Sequence, residues 1–408
     1  MNYRAIRYPL AALLGALWAA TLGFTSAVAL AFATGEGFFP VWSALLVSGG
    51  VIGLLLCKQG WLGQRLAWWI ASILFGLLLV GLTGLKPFGL TVSQANPANL
   101  IGLTLLALIF GRSTQLITLH LSHPDADRHD VEYALIGFMK GFGYIFFTAI
   151  VLVPFFVMVM TSLKSQQSLM LNPLDFSLDL SRGLELFRSY DELFRNFNFG
   201  DYLLNSALVS VLTVVITLLF SAPGAYAVAR LKFKGRDSMS RGILLIYMVP
   251  MIVLALPIYI AFSMLELRNS LVGLLLIYPV TTIPVALYML QGYFRGLPVE
   301  VEEAGLMDGL SRIQVIIKIT LPLALPALAS VALYVFMIAW NEFLLAFMLL
   351  DDPSIFTLTR GVSMLNSSEI PRQHLMAGAV ISTLPIMLIF LVLERYMTKG
   401  LTAGSVKG

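Results

Sequence analysis

Runs of about 20 predominantly apolar residues recur along this chain, near 10–33, 41–57, 66–85, 95–111, 143–163, 201–223, 241–264, 272–292, 323–349 and 374–397. As a helix, a run of that length covers the roughly 30 Å of a bilayer's hydrocarbon core. No other feature narrows the fold as far. Hydrocarbon offers backbone N–H and C=O groups no partner, so runs of this length must satisfy them internally as α-helices. The pattern predicts an all-α integral membrane protein of about ten transmembrane helices. Composition agrees, with 58% of the 408 residues hydrophobic and 12% charged, far from the soluble balance.

The net charge of +4 and pI near 9.1 come from basic residues gathered at span ends, a membrane pattern and not a nucleic-acid one. Arg4 and Arg7, Lys58 and Arg65, Arg112 and Arg128 to Lys140, Arg230 to Arg241, and Arg395, Lys399 and Lys407 all fall on one side of the predicted spans. The positive-inside rule makes that side cytoplasmic and places both termini there. Asp351-Asp352 marks the opposite side. The polar segment from Lys164 to Gly200 is also external, since long loops translocate largely regardless of their charge. The run after Arg4 and Arg7 exceeds a signal-peptide core, so it reads as a retained first span.

The lone Cys57 excludes a disulfide framework and a multi-cysteine metal site. His120, His123, Asp125, Asp127, His129 and Asp130 are crowded together, but their spacing fits no metal motif and Pro124 interrupts the helix that would align them. The cluster reads as solvated polar surface with no metal. Gly81 to Lys86 fails the spacing of a phosphate-binding loop, and no nucleophile elbow or His-Glu-x-x-His pair occurs, so enzyme chemistry has no visible seat.

One polar island interrupts the apolar pattern between 293 and 322. Pro298 opens a short helix whose first turns carry Glu300, Glu302 and Glu303, where the macrodipole favours negative charge. Asp308-Gly309 reads as a stop, and Ser311 with Gln314 as a capping box opening a second helix. Two short helices joined by a sharp bend must lie at the membrane face, offering an apolar edge and an acidic end to another protein.

The spacing Glu303-Ala304, Gly309, Ile319 and Leu321-Pro322 resembles the coupling-loop signature of permease subunits in binding-protein-dependent ABC importers, the Glu-Ala-Ala loop family. Trp340-Asn341-Glu342-Phe343 and the tail Gly400 to Gly408 resemble the sugar-importing branch, above all the second permease of maltose-type transporters. The resemblance covers roughly residues 140–408. Gly305 departs from it, standing where the signature has a second alanine, at a helix cost of about 0.5–1 kcal/mol.

The resemblance implies a six-helix type I importer core at 141–408 with a cytoplasmic tail at 398–408, preceded by four extra spans at 1–111 and a cytoplasmic linker at 112–140. It implies that Glu302, Glu303, Ala304, Gly305, Asp308, Gly309, Ile319, Leu321 and Pro322 seat the loop in an ATPase, and that Gly404, Ser405, Lys407 and Gly408 approach the ATPase pair. The implied partners are a second permease, two ATPase subunits that carry ATP and Mg, an extracytoplasmic sugar-binding protein and membrane lipid. The implied location is a bacterial or archaeal cytoplasmic membrane, and the implied solute a neutral oligosaccharide or glycoside. A polyol or glycerol phosphate is the alternative.

Pro250, Pro257, Pro279 and Pro284 interrupt two spans, and broken spans tend to line cavities. That makes Tyr278, Thr281 and Thr282 candidate pathway residues; Trp340, Asn341 and Glu342, in the outer part of a different span, are further candidates, a tryptophan beside an amide and a carboxylate being suited to a sugar. Five of the six have a plainer reading: helix packing for the two hydroxyl residues and Tyr278, and an interfacial anchor for Trp340 with Glu342 reaching water. The segment 166–200 is either a docking surface for the binding protein or a loop packed on itself. Two rival functions remain, an ion-coupled secondary transporter, which needs paired intramembrane acids, and a non-transporting scaffold.

Overall fold

The computed structural model describes residues 3–35, 37–58, 64–88, 97–123, 127–171, 180–247, 249–367 and 369–403. All ten apolar runs fall on helices, and no strand occurs among the described residues. Among the described residues, six helices are long and apolar enough to cross a membrane, or seven if a pair bent by 73° counts as one span. The helices over 42–58, 66–82 and 251–264 are shorter, so the described part of each expected run is largely helical, without ten full-length spans among the described residues. It divides into two compact units, 1–183 and 184–408.

The first unit comprises α1 (Tyr3–Thr34), α2 (Trp42–Lys58), α3 (Gln64–Leu82), α4 (Pro97–Thr118), α5 (Arg128–Ser162) and the short α6 (Gln166–Leu171). Its helices meet through small residues. A Cβ on Gly53 of α2 would lie 2.2 Å from the Ala11 carbonyl oxygen of α1, and one on Gly15 would lie 2.4 Å from the Gly49 carbonyl oxygen. Lipid tails are as apolar as leucine, so close backbone approach of this kind is what associates helices in a membrane. Phe75 of α3 stacks on Phe110 of α4 with centroids 3.9 Å apart, and the Trp18 indole donates to Ser113 at 2.7 Å.

The segment 112–140, expected as a linker, is largely helical. α4 continues to Thr118, and α5 begins at Arg128 behind a reciprocal cap in which Asp127 accepts from the Asp130 amide and Asp130 accepts from the Asp127 amide. His120 lies 3.7 Å from Asp130 and stacks on Tyr133, and His129 lies 3.6 Å from Glu132. Residues 124–126 lie outside the described residues. Gly183, at φ +54°, kinks the turn 180–187 where the two compact units divide.

The second unit runs α7 (Arg188–Asn196), α8 (Phe199–Arg230), α9 (Arg236–Tyr247), α10 (Met251–Met264), α11 (Leu271–Gly296), α12 (Val299–Met307), α13 (Arg312–Val315), a π-helical turn (Ile316–Thr320), α14 (Leu321–Leu323), α15 (Leu325–Asn341), α16 (Leu344–Leu349), α17 (Leu358–Met364) and α18 (Arg372–Ala403). The long α8 packs along α11 and α15. Its inner face is a stripe of buried hydroxyl residues, Ser206, Ser210, Thr213, Thr217 and Ser221, and Thr217 bonds Thr282 of α11 at 2.7 Å. Two apolar clusters lie along these helices, one around Phe199, Tyr278 and Trp340 and the other around Tyr226, Phe294 and Val335.

Two expected spans are broken. The run 241–264 is α9 and α10, with Pro250, at φ −61° and ψ 129°, leading into α10. The run 323–349 ends as a helix at Asn341 and restarts at Leu344, because Glu342 turns to an extended backbone and its carboxylate accepts amides of the first turn of α16. The segment expected to be loop, 166–200, holds α6 and α7, with 172–179 outside the described residues, and α7 packs against α18.

Candidate functional site

The hairpin of α12 and α13 has an inner and an outer face. Gly309 takes φ +82°, a left-handed backbone that closes α12 as glycine does at helix ends, and the Leu310 amide returns to the Gly305 carbonyl at 3.1 Å. Ser311 and Gln314 form the expected reciprocal cap. Gly305 is buried, and a Cβ there would fall 2.5 Å from the Ile319 Cδ1 atom. The missing methyl therefore lets the returning leg lie against α12, a packing reason for a residue that otherwise weakens the helix.

Outward, Glu303, Ala304, Leu306, Met307 and Asp308 are exposed, Met307 by 87%, and Ile313 and Ile317 extend the apolar edge beside them. Glu302 points the other way. Its carboxylate accepts from the Tyr226 hydroxyl at 3.1 Å and from the Thr320 hydroxyl at 3.1 Å, and lies 3.5 Å from Nε of Arg230. Arg230 also donates to the Leu297 carbonyl at 2.6 Å. Ile319 is half-buried and Pro322 exposed. The tail residues Gly404, Ser405, Lys407 and Gly408 lie outside the described residues.

A cavity of about 370 Å³ lies among α10, α11 and α15. Thr281, Thr282 and Glu342 line it, together with Pro250, which precedes α10, and Pro284, which lies inside the continuous α11 where the sequence predicts an interruption. Tyr278 is buried beneath it and donates its hydroxyl to Glu342 at 2.9 Å. The Glu342 carboxylate also accepts the amides of Leu345 and Ala346, at 2.8 and 3.1 Å, so it holds the first turn of α16 as well as forming a wall of the cavity.

Trp340 is not part of this wall. It is 3% exposed, stacks on Phe336 and donates its indole N–H to the Ser382 carbonyl at 3.0 Å, inside the core against α18. Asn341 donates to the Met337 carbonyl of its own helix. Sequence reasoning missed Tyr334 and Ile338 of α15 and Ile258 of α10, which are among the other lining residues. They sit in uniform apolar runs, where only the three-dimensional facing distinguishes a wall from a lipid contact.

A larger groove of about 980 Å³ between α1 and α5 is almost wholly apolar, with Thr25, Tyr144 and Thr148 as its polar members. Among the described residues no group of three or more His, Cys, Asp or Glu is placed to hold a metal ion.

The sequence model of the family described as "Binding-protein-dependent transport system inner membrane component" matches residues 221–402. The chain is 38% identical over 277 residues to the inner membrane ABC transporter permease protein YcjP of Escherichia coli (strain K12), an alignment covering 67% of this chain and 96% of that protein. It is 34% identical to the trehalose/maltose transport system permease protein MalG of Thermococcus litoralis, over 65% of this chain and 95% of the relative. The trehalose transport system permease protein SugB of Mycobacterium tuberculosis is 36% identical over 54% and 82%. A chain in the crystal structure of a bacterial ABC transporter involved in the import of the acidic polysaccharide alginate superposes with a TM-score of 0.56 at 23% identity, over 66% of this chain and 98% of that one, a likeness of fold.

Proposed function

The chain belongs to the family of binding-protein-dependent transport system inner membrane components, and we propose that it forms one half of the pathway of an ATP-driven importer of neutral oligosaccharides or glycosides. The observation that carries the reading is the two-faced hairpin: an inner face locked to the helix bundle, and an outer face offering Glu303, Asp308, Met307 and Ile313 to a partner. In this reading the hairpin seats in a partner ATPase, which binds ATP and Mg. A related permease and an external binding protein complete the importer.

The 298–322 hairpin, both termini and the basic span ends are cytoplasmic, and residues 404–408 approach the ATPase pair. The permease core occupies 141–408, and the preceding spans form an accessory region. Closure of the ATPase pair on ATP would rotate the hairpins and expose the 370 Å³ cavity to one side and then the other.

The cavity supports a neutral solute. Its described lining has Thr281, Thr282, Tyr334 and Glu342 as polar groups and no Arg or Lys, whereas a phosphate-bearing or acidic solute calls for cationic partners. Relatives named for trehalose and maltose point to the same class.

The test is ATPase activity of the reconstituted complex with its binding protein across a panel of neutral oligosaccharides, for wild type and Gly309→Pro. Stimulation by one sugar, lost in the variant while the complex remains assembled, supports the reading. An absent ATPase partner, or stimulation that survives Gly309→Pro, overturns it.

A further inference from the structure

Glu302 and Glu303 are adjacent acids in the same helix turn, yet they face opposite ways. Glu303 is exposed, while Glu302 is 9% exposed and held by three groups from two directions. Tyr226 and Arg230 come from the last turns of α8, and Thr320 comes from the returning leg of the hairpin. Arg230 fastens the same junction a second time at the Leu297 carbonyl, just before α12. A buried carboxylate placed between a guanidinium and two hydroxyls resists separation, because parting them strands a charge away from water. Loss of any one group leaves the others holding the hairpin in a less defined place.

We propose that Glu302 is a positioning residue, a latch that makes the hairpin and α8 one moving body, leaving Glu303 as the acid of the pair that meets the partner. The proposal rests on the coupling role assigned to the hairpin above, and adds that its movement reaches the cavity through α8. Thr217 of α8 then hands it to Thr282 of α11, a wall residue of that cavity.

Spin labels test this in the full chain. Val299 of α12 and Leu219 of α8 are exposed, by 46% and 67%, so Val299→Cys and Leu219→Cys in a Cys57→Ala background report the separation of hairpin and α8. In wild type the separation is narrow and the same in ATP-free and ATP-trapped complexes. Glu302→Gln broadens it, and lowers solute imported per ATP hydrolysed by about tenfold while hydrolysis persists. Glu303→Gln weakens ATPase binding and leaves the label separation narrow.

A wild-type separation that changes between the two states overturns the latch, as does a Glu302→Gln variant with a narrow separation and full coupling. Should Glu302→Gln fail to assemble, Tyr226→Phe with Thr320→Val keeps the ion pair and is read in the same way, an unaltered distribution again overturning the latch. Should wild type show no sugar-stimulated hydrolysis, the importer reading fails. The label distributions of the isolated chain in lipid nanodiscs, narrow in wild type and broad in Glu302→Gln, then decide the latch by themselves.

Discussion

Nε2 of His374 lies 2.6 Å from Oε2 of Glu192, though 182 residues separate them in the chain. Arg188 donates to the other oxygen of the same carboxylate at 2.6 Å. His374 is 5% exposed, so the contact pins α7 to the start of α18 and orders part of a segment that reads as loop.

The Arg188 hydrogen bond foremost, and then His374, hold the Glu192 carboxyl below its ordinary value, against the opposing pull of desolvation. A depressed carboxyl contributes stability that is fully present above its unfolded value, about 4.3, and lost as pH falls through the folded one. Glu192→Gln should therefore lower stability at pH 7 by about 1 kcal/mol. The gap to wild type should close as pH falls below about 4, as followed by thermal unfolding in detergent.

The α1–α2 contact leaves no room for a methyl group. Gly53→Ala puts a Cβ 2.2 Å from the Ala11 carbonyl oxygen, a backbone atom that cannot swing aside, and should cost about 1–3 kcal/mol. Gly81→Ala, in α3 with nothing within 4 Å, should be neutral or stabilising by about 0.5 kcal/mol. Thermal midpoints of the two variants make the comparison.

Trp340→Phe removes the donor to the Ser382 carbonyl and should destabilise the fold by about 1–2 kcal/mol while leaving the KM for uptake unchanged. Thr281→Trp, whose added ring enters the 370 Å³ cavity, should reduce uptake by at least about tenfold. An uptake assay in vesicles separates the two residues, and a raised KM in Trp340→Phe would put the tryptophan back in the pathway.

At Gly305 two effects oppose each other. Alanine restores about 0.5–1 kcal/mol of helix propensity, and its methyl meets Ile319 Cδ1, the far end of a flexible side chain that can rotate. Gly305→Ala should change stability by less than about 1 kcal/mol and preserve sugar-stimulated hydrolysis. Gly305→Leu should abolish that stimulation, because the hairpin legs can no longer close.

The helices were legible where hydrophobic length alone decides them, as in α1, α8, α11 and α18. The prolines read only in part: Pro250 stands at the break before α10, but Pro257 lies within α10 and Pro279 and Pro284 within a continuous α11, where the helix accommodates them without interruption. Hydropathy could not follow α5 back to Arg128, because the polar turns there are held by the Asp127 and Asp130 cap and by an Arg128–Glu132 ion pair, not by apolar surface. The break at Glu342 carries no proline. It exists because Tyr278, 64 residues away, completes the partners of a carboxylate that holds the first turn of α16. The opposite facing of Glu302 and Glu303 is likewise invisible in one dimension, where the two acids look interchangeable.

α8 is fastened at both ends. Asn205 donates to the carbonyls of Ser354 and Phe356, and Ser206 accepts the Leu358 amide, while Tyr226 and Arg230 grip Glu302 at the other extremity. Its 32 residues make a strut of about 48 Å. A strut held at both extremities passes an axial push along its length, so a displacement of the hairpin should arrive at the Asn205 and Ser206 end of α8 nearly undiminished, and the lever arm of the whole half-importer is set by the length of this one helix.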